Sequence, residues 1–411
     1  MSAATMTKAT VPVATPGTGS EGQTFLVGDE IYLRGPEEED AKVGMSWRPT
    51  LFPIAPELTE EWIKDDLAKD DHATFVIVRK ADDRVVGSIK VVNEGIDYWL
   101  EPKVDGLYGD RGLHWKAEAI VLVARWLIHE RGQPVAHLFN VAANEQPVVE
   151  FLEKAGLRET ARFREMLERH GKRVDCVAYE YLSPEWVANL GDPNEAPLER
   201  TGSGEPRPVP PPVTLDGDPP RNAMMVGKRV YLRPEEPGDS VKAALMARQE
   251  TETFFDIGRY LTSPVMYEKW INDHQKPDLP SWITFCVCLR ENDEPIGWVA
   301  LLDVDYQNRF AETGSFFGNV QYRGGGYGSE AKQLLLEYAF ERLGLHMVQS
   351  WVYFQNTRSA AALRKQGYRE SGRINWAYPN NGTLDNFVTF DLLAEEWRAM
   401  PRKEWEPKQD A

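Results

Sequence analysis

Hydrophobic positions in the second half of the chain fall into two registers. Between 328 and 343, Ala331, Leu334, Leu335, Tyr338, Ala339 and Leu343 recur at the i, i+3, i+4, i+7 spacing of a helix with one core-facing stripe. Just upstream, Glu312–Phe317 alternates along a strand and ends in two aromatics. The same patterns predict strands at 228–233, 282–290, 295–303, 310–317, 347–353 and 386–393. Helices are predicted near 238–249, 264–274, 328–343 and 357–366, with Gly367 as a C-cap. Between the strand ending at 317 and its following helix lies Arg323-Gly324-Gly325-Gly326-Tyr327-Gly328. Glycines remove side chains, so backbone N–H groups can converge on one anion, and a helix N-terminus adds its unpaired donors and positive dipole end. The stretch reads as a pyrophosphate cradle. It has neither the Gly-Lys-Ser/Thr ending of a P-loop nor the acidic residue that follows a dinucleotide-binding turn.

The first half repeats the second. Ile31–Arg34 matches Val230–Arg233, Trp62-Ile63 matches Trp270-Ile271, and Val86-Gly87 matches Ile296-Gly297. Arg111, Glu118 and Asn144 match Arg323, Glu330 and Asn356, and Trp186 matches Trp397. The offset drifts from 199 to 212 through small insertions, the signature of a tandem duplication. The expected organisation is a disordered leader over 1–24, a first domain over 25–190, a Pro-rich linker over 191–225, a second domain over 226–402 and a tail over 403–411. The linker has no core-forming pattern and is expected to run as an extended spacer. The copies differ at the cradle, where His114 and Lys116 stand in place of Gly326 and Gly328. An insertion around Asp105–Asp110 lengthens the approach, and Pro147 stands opposite Ser359. The first copy therefore reads as an inactive scaffold, a lid or a substrate-binding half.

Composition adjusts this picture modestly. The length of 411 residues, 42% apolar residues and 13 Trp supply two cores of ordinary size. No apolar run reaches 18 residues, and the leader has no apolar centre, so neither a membrane helix nor a secretory signal is expected. Cys176, Cys286 and Cys288 form no disulfide framework and no metal pattern, which fits a cytoplasmic protein. The net charge is −17, with 35 acidic against 23 basic residues in 1–200 and 29 against 24 in 201–411. Such a field repels nucleic acid in bulk and attracts amines. A local exception is the basic cluster Arg158, Arg162, Arg164, Arg169, Lys172 and Arg173.

Three segments in order carry a resemblance. Arg323-x-x-Gly326-x-Gly328, then Asn356-Thr357-Arg358-Ser359, then Gly367-Tyr368 are similar to the motifs of the GNAT N-acetyltransferase superfamily, over about 226–400. The surroundings of the loop resemble the branch of RimJ and RimL, the ribosomal-protein N-terminal acetyltransferases. The resemblance implies an α/β fold: two tandem GNAT-like domains, each a mixed, splayed sheet with helices on both faces. It implies acetyl-CoA or another acyl-CoA as co-substrate. The pantetheine arm would lie along Gly318-Asn319-Val320, with a backbone N–H near Val320, and reach Asn356. The pyrophosphate would meet Arg323, Gly324, Gly325, Gly326, Tyr327, Gly328 and Ser329. Glu312, on the strand just before the splay, is the expected general base, with Asp303, Asp305 and His274 as alternatives. Ser359 is the expected acid for the leaving thiolate; the place of the family's usual Tyr is Leu363.

The acceptor side is expected from Phe255 in the loop 254–260, from Asp305, and from Trp376 and Tyr378 in the closing hairpin. Aromatics with carboxylates suit a cationic amine. The leading expectation is an acyltransferase acting on a primary amine of a small molecule or a protein N-terminus, as a monomer or homodimer. A second reading takes an aminoacyl group from tRNA, with the basic cluster at the RNA. A third is a non-catalytic binder of CoA or amine.

Overall fold

Two bodies of contacts divide the chain, one over 1–159 with 178–191 and one over 160–177 with 192–411, and each is built on mixed β-structure. The computed structural model describes residues 24–48, 55–67, 72–93, 98–195, 205–252, 262–275 and 279–404. Leader residues 1–23, the tail beyond 404 and Phe255 lie outside these.

The first unit opens with β1 (Thr24–Val27), β2 (Ile31–Arg34), α1 (Gly44–Trp47) and α2 (Pro56–Leu67). The antiparallel run β3 (His72–Arg79), β4 (Arg84–Asn93) and β5 (Tyr98–Val104) follows. Then come α3 (Gly109–His129), β6 (Val135–Ala142), parallel to β5, and α4 (Gln146–Lys154). The chain then runs through β7 (Arg158–Arg169) and β8 (Lys172–Leu182), whose residues 160–177 belong to the second unit, and returns to the first in α5 (Pro184–Leu190). Trp47, Ile63, Val76 and Val78 form one buried cluster of this unit.

The second unit repeats the order. It contains β9 (Met225–Val226), β10 (Val230–Pro234), α6 (Asp239–Ala247), α7 (Pro264–Gln275) and β11 (Ile283–Leu289). Next are β12 (Pro295–Asp305), β13 (Phe310–Phe316), α8 (Tyr327–Glu337) and β14 (Met347–Tyr353). It ends in α9 (Thr357–Lys365), β15 (Arg369–Asn380), β16 (Thr383–Leu393) and α10 (Ala394–Ala399). The strand order is β15-β16-β14-β13-β12-β11-β10-β9, with β13 and β14 as its parallel pair. The helix expected to run to 343 turns into a π-turn over Tyr338–Arg342, where the Leu343 N–H reaches back to the Tyr338 carbonyl at 3.0 Å. Cys286 and Cys288 are both buried beside Tyr231 and Ala243, as small apolar side chains.

Two stretches pack differently from the repeat boundaries. Residues 160–177, expected within 25–190, make their contacts in the second unit. Ala161 pairs with Gly372, and the Arg164 guanidinium meets Asp391 at 2.7 Å. Asp391 is fully buried, so its charge requires such cations, and Arg369 supplies another at 2.6 Å. The Pro-rich linker is also not a free spacer. Val209 is buried in the main core, its N–H donates to the Pro401 carbonyl at 2.9 Å, and Lys403 N–H returns to its carbonyl at 3.1 Å. One apolar side chain among prolines suffices to anchor the segment.

Candidate active site

Strand β13 runs beside β14 for three residue pairs, Phe310↔Met347, Ala311↔Val348 and Glu312↔Gln349. Beyond Glu312, β13 stays paired with β12 and β14 stays paired with β16, so the two strands part. Thr313 and Ser350 stitch the apex: the Ser350 hydroxyl donates to the Thr313 carbonyl at 2.9 Å, and Thr313 Oγ1 reaches the Gln349 carbonyl at 3.2 Å. The second unit holds a cavity of about 1820 Å³ lined by Ser315–Phe317 of the diverging strand, Arg323–Gly326 and Gly328–Ser329 of the loop, and Asn356–Ser359 of α9.

The glycines of the loop are dictated by geometry. Gly324 and Gly326 take φ of 85° and 86°, which side-chain-bearing residues rarely adopt. A Cβ on Gly328 would come within 3.2 Å of the Phe317 ring. Gly326 is the N-cap of α8 and offers no side chain to its first turn, so those donors remain available to an anion. Tyr327 packs edge-on against Tyr322 at 5.6 Å. Val320 opens a short turn over Val320–Tyr322. Arg323 lines the cavity and also braces the loop: its Nε donates to the Phe317 carbonyl at 2.7 Å, and its Nη2 pairs with buried Glu250 at 2.7 Å. Sequence reading missed Arg229, which donates to the Gly325 carbonyl at 2.8 Å and lies 4.4 Å over the Tyr327 ring. No local pattern marks Arg229, because its role needs β10 folded back against α8.

Glu312 stands at the last paired position before the strands part. Burial, with the charge of Asp303 as a second cause, pushes its carboxyl up to about 7. Lys332 on α8 is 3% exposed and lines the cavity. Burial pushes its ammonium down to about 7, against a smaller opposing pull from Glu312. Lys332 was also missed; a lysine among Ala331, Leu334 and Leu335 reads as an outward residue until the helix is docked. Asp303 accepts from the Trp282 indole at 3.3 Å, and His274 lies between Trp270 and Trp282 with ring centroids 4.6 and 4.5 Å away. Glu312 therefore has a cation on its helix side and an aromatic, acidic corner near Asp303.

Asn356 caps α9, accepting from Ser359 N–H at 3.1 Å, and both residues line the cavity. Leu363 is buried in the core and leaves no hydroxyl at its position. Asp305 is occupied locally, accepting both the backbone and side-chain N–H of Asn308 at 2.7 Å. Trp376 and Tyr378 lie on β15, both buried, with the Tyr378 ring 4.8 Å from Tyr353 and 5.0 Å from Phe387. These contacts are those of packed core rings.

The corresponding corner of the first unit is stapled. Its helix α3 starts at Gly109, so His114 and Lys116 lie inside it. Lys116 pairs with Glu145 at 2.6 Å and His114 packs edge-on against Phe151 at 5.0 Å, tying α3 to α4. A cavity of about 270 Å³ remains beside Lys116.

Residues 229–369 match the acetyltransferase (GNAT) domain family. The Bacillus licheniformis protein named uncharacterized N-acetyltransferase p20 is 31% identical over 113 residues, which are 28% of this chain and 63% of that protein. The chain thus spans less than two thirds of that relative's length. The Bacillus subtilis protein named probable N-acetyltransferase YjcK is 26% identical over 179 residues, 41% of this chain and 97% of its own. Among solved structures, the Vibrio cholerae spermidine N-acetyltransferase in complex with CoA and spermine is 21% identical, covering 41% of this chain and 98% of its own, with a TM-score of 0.37. The matched stretch begins at Arg229 and includes the parting strands, the glycine loop and α9.

Proposed function

We propose that the second unit is an N-acyltransferase, most simply an N-acetyltransferase, moving an acyl group from acyl-CoA to a primary amine of a small molecule or a protein N-terminus. The observation that carries this reading is the parting of β13 and β14 beyond Glu312, where Ser315–Phe317 of β13 line a cavity shared with the glycine loop. Bound acyl-CoA would supply the activated thioester. The N–H groups of Gly324–Ser329 would hold its pyrophosphate, and the backbone of Gly318–Val320 with Asn356 would orient its arm. Glu312, titrating near neutrality, suits removal of the ammonium proton. Ser359 lines the cavity where a departing thiolate would be met. Asp303 with Trp270, His274 and Trp282 suits a cationic acceptor.

In the same reading the first unit is a second GNAT-like fold, without a cradle and without catalysis, and the protein works in the cytoplasm. The tRNA alternative is the less favoured reading. Arg158, Arg162, Arg164 and Arg173 of the basic cluster each pair with a carboxylate, so they form no bare cationic patch.

Calorimetry with acetyl-CoA, together with a mass-spectrometric screen of amines, tests the proposal. Wild-type protein should bind acetyl-CoA and acetylate at least one amine. Gly326→Val should lose binding by two orders of magnitude or about 3 kcal/mol, since valine cannot take φ of 86° and its side chain enters the cradle. Unchanged affinity in Gly326→Val would sink the cradle assignment.

A further inference from the structure

The cavity has a wall that the glycine loop and α9 do not provide. Arg207 to Thr214 line it, and they come from the Pro-rich segment. This segment is fixed in place. Arg207 N–H donates to the Lys365 carbonyl at the end of α9 at 2.7 Å, and Val209 is pinned into the core with bonds to Pro401 and Lys403 on either side. Three consecutive prolines, Pro210–Pro212, then continue along the cavity. Such a run is already extended and stiff, so ordering it as a wall costs little entropy.

Volume and charge indicate what the wall faces. About 1820 Å³ exceeds the roughly 300–1,000 Å³ of an ordinary small-ligand site, so the cavity accommodates a long ligand. The protein carries net charge −17, yet the cavity lining has eight Lys and Arg against four Glu. Three of those glutamates pair with three of the cations, Glu250 with Arg323, Glu330 with Arg229 and Glu404 with Lys228, which leaves five cations against Glu337. Arg207, Lys365 and Lys403 cluster near the wall, and Arg358 on α9 is exposed and makes no ion pair among the described residues. Prolines beside cations provide flat apolar faces for a base and charge for phosphate.

We infer that the segment Arg207–Thr214 is the nucleotide-end subsite of the acyl-CoA cleft, so that part of the cofactor contact is supplied by a stretch lying outside the matched acetyltransferase domain. The inference rests on the proposed acyl-CoA reading. It accounts for the anchoring of Val209: a flexible spacer between repeats would need no buried valine, whereas a wall must keep its register to the cleft.

The test compares two ligands. CoA carries the adenosine 3′-phosphate, and 4′-phosphopantetheine lacks the nucleotide. Calorimetric Kd values are measured for both on the full chain, for wild type, Arg207→Glu and the triple replacement Pro210→Gly/Pro211→Gly/Pro212→Gly. Each variant should weaken CoA about tenfold, the scale of one charge-assisted contact or of lost preorganisation, and leave 4′-phosphopantetheine within about twofold. Parallel loss of both ligands would assign the segment a structural role only and overturn the inference. So would CoA affinity within twofold of wild type in both variants. Failure of the wild-type chain to bind CoA would remove the acyl-CoA reading itself, a distinct outcome that takes this subsite with it.

Discussion

Glu312 and Lys332 feel each other's charge where neither is well solvated, and their titrations give the sharpest residue-scale expectations. The carboxyl is raised to about 7, so its ionisation weakens the fold as pH climbs from its ordinary range through 7. The ammonium is lowered to about 7, so its protonation weakens the fold as pH falls from its ordinary range through 7. As a base, Glu312 must be ionised, and activity should rise with pH through about 7. Glu312→Gln should lower kcat by about 10²–10⁴-fold while the melting temperature at pH 8 stays level or rises, because the amide carries no buried charge. A base with neighbours of opposite sign also moves in two directions. Lys332→Met removes the cation that favours the carboxylate and should shift the acid limb of the rate profile upward in pH. Asp303→Asn removes the opposing anion and should shift it downward. Shifts of the same sign, measured in the pH dependence of kcat/KM, would reject Glu312 as the base.

At the scale of elements, one carboxylate in each unit ties the long helix to the entry of the second strand, β2 or β10. Glu330 of α8 accepts from Arg229 N–H at 2.7 Å and Val230 N–H at 3.3 Å, and Glu118 of α3 accepts from the N–H groups of Asp29 and Glu30. Gly227 and Gly28 precede those strands because a Cβ would collide with each carboxylate. Glu330→Ala should therefore cost about 1–3 kcal/mol in urea denaturation, through orphaned donors and an unpaired Arg229, and Glu330→Gln should cost less because its oxygen still accepts. A cost below 0.5 kcal/mol for the alanine variant would show the contact to be dispensable.

These contacts also mark how far the sequence could be read. The strands, helices and paired offsets were legible because hydrophobic period and turn residues are local signals. The glycine loop was legible because Gly324 and Gly326 answer a backbone requirement. Lys332 and Arg229 were not, since their roles arise only when α8 docks on β10 and β13. The bracing of Arg323 was not legible, because its partner, Glu250, lies 73 residues away in the chain. Val209 gave no signal because a single apolar residue among prolines has no period.

The whole molecule carries two fields of opposite sense, a net charge of −17 and a cavity lining rich in cations. On the proposed function, a multiply charged amine would be drawn by the first from a distance, while an anionic acyl donor would be repelled in bulk and held at the lining. Long-range attraction is screened when the Debye length falls from about 10 Å at 0.1 M to about 3 Å at 1 M salt, whereas contacts inside the cavity are screened less. For a dicationic or tricationic acceptor, kcat/KM should therefore fall several-fold as salt is raised at fixed, saturating acetyl-CoA, and more steeply the more charge the amine carries. A monocationic amine of similar size should show a shallow slope. The measurement is thiol release followed over a salt series for acceptors matched in size and graded in charge. Slopes independent of acceptor charge would mean that the acidic surface does not steer the substrate, leaving recognition to local groups such as Asp303 and Trp282.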